Sequence, residues 1–223
     1  MVRLVTFDVF MALVDIKGSL VPKVSGVLGL NKLKAGKFVQ TWRQKQMECA
    51  AISNSLGHGR IPFRRCTELA LDYTLAHFKV PVTPSQHCKL VMSWDTLTPW
   101  PEACQVVAEI RRRGYKTAIL SNGDSDMLNA LAKPFGDNMQ HILSAEMAGA
   151  YKPHPEVYNL PEQKLRILKA DVLHVAGSGT DVIGAGSFGI DCYWANRDCN
   201  KLLDPTFVPK NEGPDLRGVL ELL

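Results

Sequence analysis

Long apolar runs are missing from the sequence. No stretch approaches the roughly 18 residues of a membrane-spanning helix, and Asp8 interrupts the apolar amino terminus before a signal-peptide core is complete. A large excess of one charge is also missing, because 26 Lys and Arg residues face 22 Asp and Glu residues, for a net charge of +4. The sequence therefore predicts a cytoplasmic protein that binds neither membranes nor nucleic acids.

Paired cysteine motifs are missing as well. The six cysteines lie at wide, irregular spacings without the Cys-x-x-Cys or Cys/His spacing of a zinc site, so we expect them to be thiols. The composition is 46% hydrophobic and 22% charged, which excludes disordered, collagen-like and long coiled-coil proteins. A chain of 223 residues can form one full core with a smaller appended domain.

Short apolar runs followed by small or polar residues recur along the chain. They are typical of buried parallel strands. Four of them lie at residues 3–7, 116–120, 172–176 and 190–195, and a weaker one lies at 140–144. Helical patterns separate them at 101–113, 124–133 and 156–169. This alternation predicts an α/β fold with a doubly wound, Rossmann-like parallel sheet, whose ligand site lies beyond the carboxyl ends of the strands.

Residues from about 17 to 97 break the alternation. They contain helical stripes without a convincing parallel strand, the clearest being Phe63, Cys66, Ala70, Tyr73 and His77. Pro99, Trp100 and Pro101 then mark the return to the alternating pattern. The sequence therefore predicts a helical cap domain at 17–97, inserted into a core domain formed by 1–16 and 98–223.

Polar side chains follow the predicted strands at the edge where a ligand is expected. They are Asp8, Ser121 with Asn122, Lys152 and Asp181. A carboxylate can act as a nucleophile when a neighbouring cation keeps it ionised and poorly hydrated, so Lys152 is placed to activate Asp8. Each residue has a simpler explanation alone, since Asp8 could cap a turn and Lys152 could be a solvated loop residue. Their joint placement favours a catalytic site.

Several motifs together resemble the haloacid dehalogenase superfamily. They are Phe7-Asp8-Val9-Phe10-x-x-Leu13-Val14-Asp15, Leu120-Ser121-Asn122-Gly123, Tyr151-Lys152-Pro153-x-Pro155-x-Val157-Tyr158, and Asp181 before Gly184-Ala185. The run Trp42-Arg43-Gln44-Lys45-Gln46-Met47-Glu48 is similar to the cap-helix signature of the type II, or L-2-haloacid, dehalogenase branch. Dispersed motifs in the right order are far more specific than any one of them.

The resemblance implies a cofactor-free hydrolase that displaces halide from a short 2-haloalkanoic acid through an ester on Asp8. It implies that Arg43 and Asn122 receive the halide and that Ser121 holds the substrate carboxylate. The implied catalytic residues are Asp8, Arg43, Ser121, Lys152, Tyr158 and Asp181. The implied substrate-binding residues are Val9, Phe10, Met47, Phe63, Asn122 and Ser178. The resemblance further implies that no metal is bound and that the cap helices form a homodimer.

The sequence departs from its relatives at several positions. Phe10 replaces the second Asp that related phosphatases use as a general acid, and the last motif offers magnesium only the carboxylate of Asp181. Met11-Ala12 stands where dehalogenases have Gly-Thr. In the last motif, Ala176, Ser178 and Thr180 replace the usual Ser, Asn and Trp. Three alternatives therefore stay open: a hydrolase with a non-halide leaving group, a non-catalytic carboxylate-binding relative and, more distantly, a phosphatase.

Some of these residues are also explained by packing. Phe10, Met47 and Phe63 suit a protein core when each is taken alone, and a cap-helix arginine such as Arg43 is ordinarily exposed or paired. The six histidines show no spacing that pairs them with another functional residue. The sequence therefore predicts no catalytic role for any histidine.

Overall fold

A computed structural model describes residues 2–223. These residues form two compact units, which are considered separately below. One unit is Asp15–Thr98, and the other joins residues 2–14 to Pro99–Leu223. We refer to them as the cap unit and the core unit. Among residues 2–223, no helix combines the length and the apolarity that crossing a membrane requires.

The core unit is built on a six-stranded sheet. The strands of the chain are β1 (Leu4–Phe7), β2 (Val14–Asp15), β3 (Thr98–Pro99), β4 (Lys116–Ser121), β5 (His141–Ser144), β6 (Val172–Ala176), β7 (Asp191–Ala195) and β8 (Asn211–Gly213). The sheet has the order β5-β4-β1-β6-β7-β8, and all neighbours run parallel. This confirms the predicted doubly wound parallel sheet. β1 lies between β4 and β6, so three strand ends converge at one edge.

Within residues 2–223, nine α-helices accompany these strands. They are α1 (Ile16–Leu28), α2 (Lys32–Ser55), α3 (Phe63–Phe78), α4 (Pro84–Met92), α5 (Ala103–Arg112), α6 (Ser125–Ala132), α7 (Pro155–Tyr158), α8 (Leu160–Leu165) and α9 (Gly179–Phe188). α5 buries Val106, Val107 and Ile110 on one face. The helix ends before Gly114, whose φ of 90° would be strained for a residue with a Cβ atom but is not strained for glycine.

The single helix predicted at 156–169 is wrong. The segment forms two short helices, α7 and α8, separated at Asn159. Pro161 has no backbone N–H to donate to the carbonyl four residues earlier, so one continuous helix would lose a hydrogen bond there. α8 then ends at Arg166, which has a left-handed φ of 56°.

The cap unit contains α1 to α4 and is packed around aromatic side chains. The rings of Trp42 and Trp94 meet edge to face with their centroids 5.5 Å apart. The indole Nε1 of Trp42 donates to the carbonyl of Thr67, 2.9 Å away. The Gln46 amide donates to Thr67 Oγ1 at 2.6 Å, which satisfies a second buried polar group between α2 and α3. The cap unit is therefore a helical bundle with its own core.

Candidate active site

Four of the predicted site residues lie where strands of the core unit end. Asp8 directly follows β1, and its backbone N–H extends the ladder by donating to Val175 O at 2.9 Å. Ser121 is the last residue of β4, and Lys152 lies in the loop after β5. Asp181 lies in the first turn of α9, which follows β6. The parallel sheet therefore brings together residues that are up to 173 positions apart in the sequence.

A lysine lies between two carboxylates in this group. Lys152 Nζ is 3.7 Å from Asp8 Oδ1 and donates to Asp181 Oδ2 at 3.0 Å. The Ser121 hydroxyl donates to Asp8 Oδ1 at 2.8 Å. All four side chains are buried, so these charges interact with little screening by water. The arrangement places the buried Asp8 carboxyl group beside the Lys152 side chain, and an ionised carboxylate next to a cation is what nucleophilic catalysis by such a group requires.

Two further predicted residues support these charges. The Tyr158 hydroxyl donates to Asp181 Oδ1 at 2.8 Å, and Lys152 Nζ lies 5.7 Å from the centre of the Tyr158 ring. Asn122 Oδ1 accepts from the backbone N–H of Lys152 at 2.8 Å and so fixes the loop that carries the lysine. We call the six residues together the strand-end cluster, which consists of Asp8, Ser121, Asn122, Lys152, Tyr158 and Asp181.

The cluster shifts the pKa of its buried groups. Burial alone raises the pKa of Asp181, but the charge of Lys152, the electrostatic effect of His174 and the hydrogen bonds from both together hold that pKa well below its usual value. Burial and the negative charge of Asp181 raise the pKa of Tyr158 well above its usual value. Asp181 is therefore ionised and Tyr158 is a neutral hydrogen-bond donor at neutral pH.

His174 is a member of this site that the sequence analysis missed. It lies in β6 and is fully buried, with Nδ1 2.8 Å from Thr6 Oγ1. Its Nε2 is 3.0 Å from Asp181 Oδ2 and 3.2 Å from Lys152 Nζ. The alternation of side chains along a strand could have indicated this histidine. Thr6 and Asp8 are two residues apart and so point to the same side of the sheet, and Thr6 is paired with His174.

The loop after Asp8, residues 9–13, is held mainly through its backbone; we call it the nucleophile loop, after the role predicted for Asp8. Met11 has a left-handed φ of 77°, where dehalogenases carry a glycine according to the resemblance. Met11 O accepts from Trp100 Nε1 at 3.0 Å and from Arg197 Nε at 3.4 Å. Gly177 lies so close that a Cβ there would collide with the backbone N of Ala12. The loop is therefore fixed by neighbours that are distant in sequence.

Arg197 connects the nucleophile loop to the rest of the core unit. Its Nη2 donates to Ala12 O at 3.2 Å and to Glu102 Oε1 at 2.6 Å. The guanidinium carbon lies 4.2 Å above the centre of the Trp100 ring. Glu102 is buried and also accepts from the backbone N–H of Leu216 at 3.3 Å. No motif in the sequence indicated Arg197, Glu102 or Trp100 as supports of the site.

The remaining predicted site residues have several placements. Val9 and Phe10 are buried in the nucleophile loop. Ser178 is the N-cap of α9, and its hydroxyl accepts from the backbone N–H of Asp181 at 3.4 Å. In such a cap, the oxygen satisfies one of the open amides of the helix terminus.

Arg43, Met47 and Phe63 belong to the cap unit. Within that unit, Arg43 Nη1 donates to Gln46 Oε1 at 2.6 Å, and the guanidinium lies 5.8 Å from the Trp94 ring centre. Phe63 is fully buried, whereas Met47 is partly exposed. Their predicted roles toward the substrate stay predictions.

Comparisons with known proteins give a consistent result. Residues 2–189 match the family model of the haloacid dehalogenase-like hydrolases. A curated (S)-2-haloacid dehalogenase of Pseudomonas sp. (strain YL) is 34% identical over 183 residues, which cover 81% of this chain and 78% of that protein. Among solved structures, a dehalogenase matches all of this chain and 97% of its own, with a TM-score of 0.92 and 26% identity.

A further similar structure carries a covalently bound molecule. It is the L-2-haloacid dehalogenase of Xanthobacter autotrophicus with chloropropionic acid covalently bound. The comparison covers 100% of this chain and 98% of that one, with a TM-score of 0.85 and 28% identity.

Proposed function

The chain belongs to the haloacid dehalogenase-like hydrolases, and on that premise we propose that it displaces halide from a short 2-haloalkanoic acid. The family resemblance seen in the sequence is thereby confirmed. The observation that carries the proposal is the buried Asp8 carboxylate, which accepts from Ser121 and lies 3.7 Å from the Lys152 ammonium. The covalently bound chloropropionic acid of the Xanthobacter relative supports an ester intermediate.

In the first step, a carboxylate oxygen of Asp8 attacks carbon 2 of the substrate. A carbon–oxygen bond forms as the carbon–halogen bond breaks, and the halogen leaves with the bonding electron pair as halide. Attack from the side opposite the leaving group inverts the configuration at carbon 2. Lys152 keeps Asp8 ionised before this step, since an opposite charge nearby favours the ionised form of a carboxyl group.

In the second step, water attacks the carbonyl carbon of the Asp8 ester. The oxygen of that water enters the Asp8 carboxylate, and the bond from the carbonyl carbon to the product oxygen breaks. One proton of the water ends on the hydroxyl group of the released 2-hydroxy acid, and the other is released to solvent. Lys152 donates toward the oxygen that becomes negative in this step. Asp181 and Tyr158 hold Lys152 in position for both steps.

The substrate contacts are proposed from the resemblance. Arg43 and Asn122 would receive the halide, and Ser121 with neighbouring backbone amides would hold the substrate carboxylate. Side-chain amide and guanidinium N–H groups are suitable donors for both anions. By the same resemblance, Phe10, Met47 and Phe63 would form an apolar wall for a short alkyl chain, and Val9 and Ser178 would also bind the substrate.

A single-turnover experiment in oxygen-18 water tests the proposal. With an excess of protein over 2-chloropropionate, one labelled oxygen should enter the peptide that contains Asp8, and one halide should be released for each substrate consumed. The same protein without substrate is the control for exchange. Halide release without label in that peptide would contradict the ester mechanism. Neither halide nor label would favour the non-catalytic alternative.

A second candidate is hydrolysis of another small 2-substituted carboxylate with a non-halide leaving group. The loop before α9 favours it, because the Ser178 hydroxyl caps the helix where dehalogenases carry an asparagine according to the resemblance. Label in Asp8 with such a substrate, and no turnover of 2-haloacids, would support this candidate.

Activity should survive dialysis against EDTA, since no step uses a metal. Magnesium-dependent phosphate release from simple esters would instead revive the phosphatase alternative.

We also propose that the protein is a cytoplasmic homodimer formed through its cap helices. Six free cysteines suit a reducing compartment. Exposed large apolar side chains of the cap helices support a contact there, and they are Leu33, Ile52, Leu69, Tyr73 and Met92, with Leu56 directly after α2. Sedimentation should show a dimer that Ile52→Glu with Leu56→Glu converts to monomer, whereas Leu203→Glu, at an exposed site outside the cap unit, should not.

A further inference from the structure

His174 is a buried polar residue next to the strand-end cluster, and the mechanism proposed above assigns it no role. It lies in the interior of β6 with no exposed surface. Its Nδ1 is 2.8 Å from Thr6 Oγ1, while Nε2 is 3.0 Å from Asp181 Oδ2. The Tyr158 ring meets it edge to face, with 6.0 Å between the ring centres. The imidazole is therefore held at both nitrogens and packed on one side.

The charges around Nε2 decide which nitrogen carries the proton. Burial lowers the pKa of His174 and the Lys152 charge lowers it further, while Asp181 opposes both, so the ring is neutral at pH 7. A bare Nε2 could accept from Lys152 Nζ, 3.2 Å away, but it would place its lone pair 3.0 Å from the Asp181 carboxylate oxygen, to which Lys152 already donates. An Nε2–H instead donates to that nearer oxygen. The Thr6 hydroxyl can then donate to Nδ1, which is the acceptor of this tautomer.

We infer that His174 is a positioning residue for the second chemical step, because its Nε2–H fixes the Asp181 carboxylate and thereby the ammonium group of Lys152. This inference rests on the proposed function. While the ester exists, Asp8 carries no negative charge, so Asp181 is the remaining carboxylate partner of Lys152 in the cluster. Lys152 must then be aimed at the ester carbonyl by Asp181, which receives Nε2–H of His174 and the hydroxyl of Tyr158.

His174→Phe and His174→Gln form a matched pair of variants. Phe keeps the ring shape but has no donor, whereas the Gln amide can donate to Asp181 from nearly the same position. Loss of a hydrogen bond to a charged group predicts that His174→Phe lowers kcat by about ten- to a hundredfold and leaves KM within about twofold. His174→Gln should restore kcat to within about threefold of the wild-type value. In His174→Phe, a larger fraction of the protein should carry the ester when the reaction is quenched during turnover.

Thr6 gives an independent pair of variants. Thr6→Val removes the hydroxyl that donates to Nδ1, and Thr6→Ser retains it. Thr6→Val should lower kcat in the same direction as His174→Phe, with a smaller effect, while Thr6→Ser should behave like the wild type. A purely structural role for His174 predicts lower melting temperatures without ester accumulation and without rescue by Gln. Unchanged kcat in His174→Phe, or equal losses in the Phe and Gln variants, would overturn the inference.

A nitrogen-15 spectrum of labelled histidine tests the same contact without substrate. His174 is assigned by the signal that His174→Gln removes. We expect a neutral ring protonated at Nε2 at pH 7, and a changed Nδ1 signal in Thr6→Val. A ring protonated only at Nδ1 would overturn the inference even if the protein is an active dehalogenase. The expected spectrum in a protein that releases no halide would mean that the proposed function, and not the contact, is wrong.

Discussion

The strand-end cluster and the nucleophile loop both border Asp8, but they are held by different kinds of contact. In the cluster, side chains bond to side chains, as Lys152 does to Asp181 and Ser121 to Asp8. In the loop, the backbone carbonyls of Met11 and Ala12 accept from distant side chains. The difference teaches that the geometry of the cluster depends on the chemical identity of its side chains, whereas the geometry of the loop depends on the position of its backbone carbonyl groups. Substitutions in the cluster should therefore lower kcat more than substitutions around the loop do, and substitutions around the loop should act mainly on stability.

The largest effect on activity should come from Asp8→Asn. The amide is nearly the same size but is not a nucleophile, so kcat should fall by at least about a thousandfold while the melting temperature stays close to that of the wild type. Halide release and thermal unfolding measure the two quantities. Asp191→Asn, at an exposed ion pair with Lys210, is the control and should change neither. Residual activity near the wild-type level would rule out Asp8 as the nucleophile.

Lys152→Met should have the next largest effect on activity. It removes the cation that two buried carboxylates share, so we expect kcat to fall by about a hundredfold or more and the free energy of unfolding to fall by about 3 kcal/mol. Lys210→Met, at an exposed ion pair, is the matched control. A full loss of activity without a loss of stability would show that the carboxylates find another partner.

The same variant should be more sensitive to acid. The pKa of Asp181 is lower in the folded protein than in the unfolded chain, so its ionised form contributes stability above about pH 4, and this contribution is lost as the pH falls toward the folded value. Without Lys152 the lowering of this pKa shrinks, and unfolding should begin at a higher pH. Far-UV circular dichroism during acid titration measures this midpoint. An unchanged midpoint would mean that Lys152 does not stabilise ionised Asp181.

Arg197→Ala tests the loop side of the comparison. It leaves the buried Glu102 without its cation, so the free energy of unfolding should fall by about 3 kcal/mol, while kcat of the folded protein falls less than about tenfold. Arg197→Lys keeps the charge for Glu102 but lacks the planar fork, and it should retain part of the stability. Denaturant unfolding and halide release at a temperature where the variants are folded give the two numbers. A kcat loss as large as that of Lys152→Met would erase the distinction between the two regions.

The smallest effect should be that of Met11→Gly. Glycine adopts the left-handed φ of this position without the Cβ penalty, so we expect the stability to rise by up to about 1 kcal/mol, with kcat within about twofold. Lys79→Gly, at an exposed residue of the cap unit with a φ of 54°, is the control for the backbone effect alone. A destabilised Met11→Gly beside a stabilised Lys79→Gly would show that the Met11 side chain contributes more than its backbone costs.

Sequence reasoning was most successful where a pattern reflects local physics. Apolar runs with polar ends predicted the parallel strands, and the topological rule for such sheets brought Asp8, Ser121, Lys152 and Asp181 to one edge. The helix predicted at 156–169 is instead broken between α7 and α8, because Pro161 cannot donate the backbone hydrogen bond that helical spacing alone implies. His174 was also missed, since a histidine inside an apolar strand shows its partners only once strand register is known. Arg197 and Glu102 meet across 95 residues without any motif.

The position of Arg197 has a practical consequence for anyone who trims or transplants this catalytic centre. The match to the family model ends at residue 189, yet the guanidinium that holds the backbone next to Asp8 belongs to Arg197, eight residues later. A truncation designed on the matched region would retain every residue of the strand-end cluster but would remove Arg197, which holds the nucleophile loop in place. Minimal versions of the enzyme should therefore keep the carboxyl-terminal segment as part of the active centre.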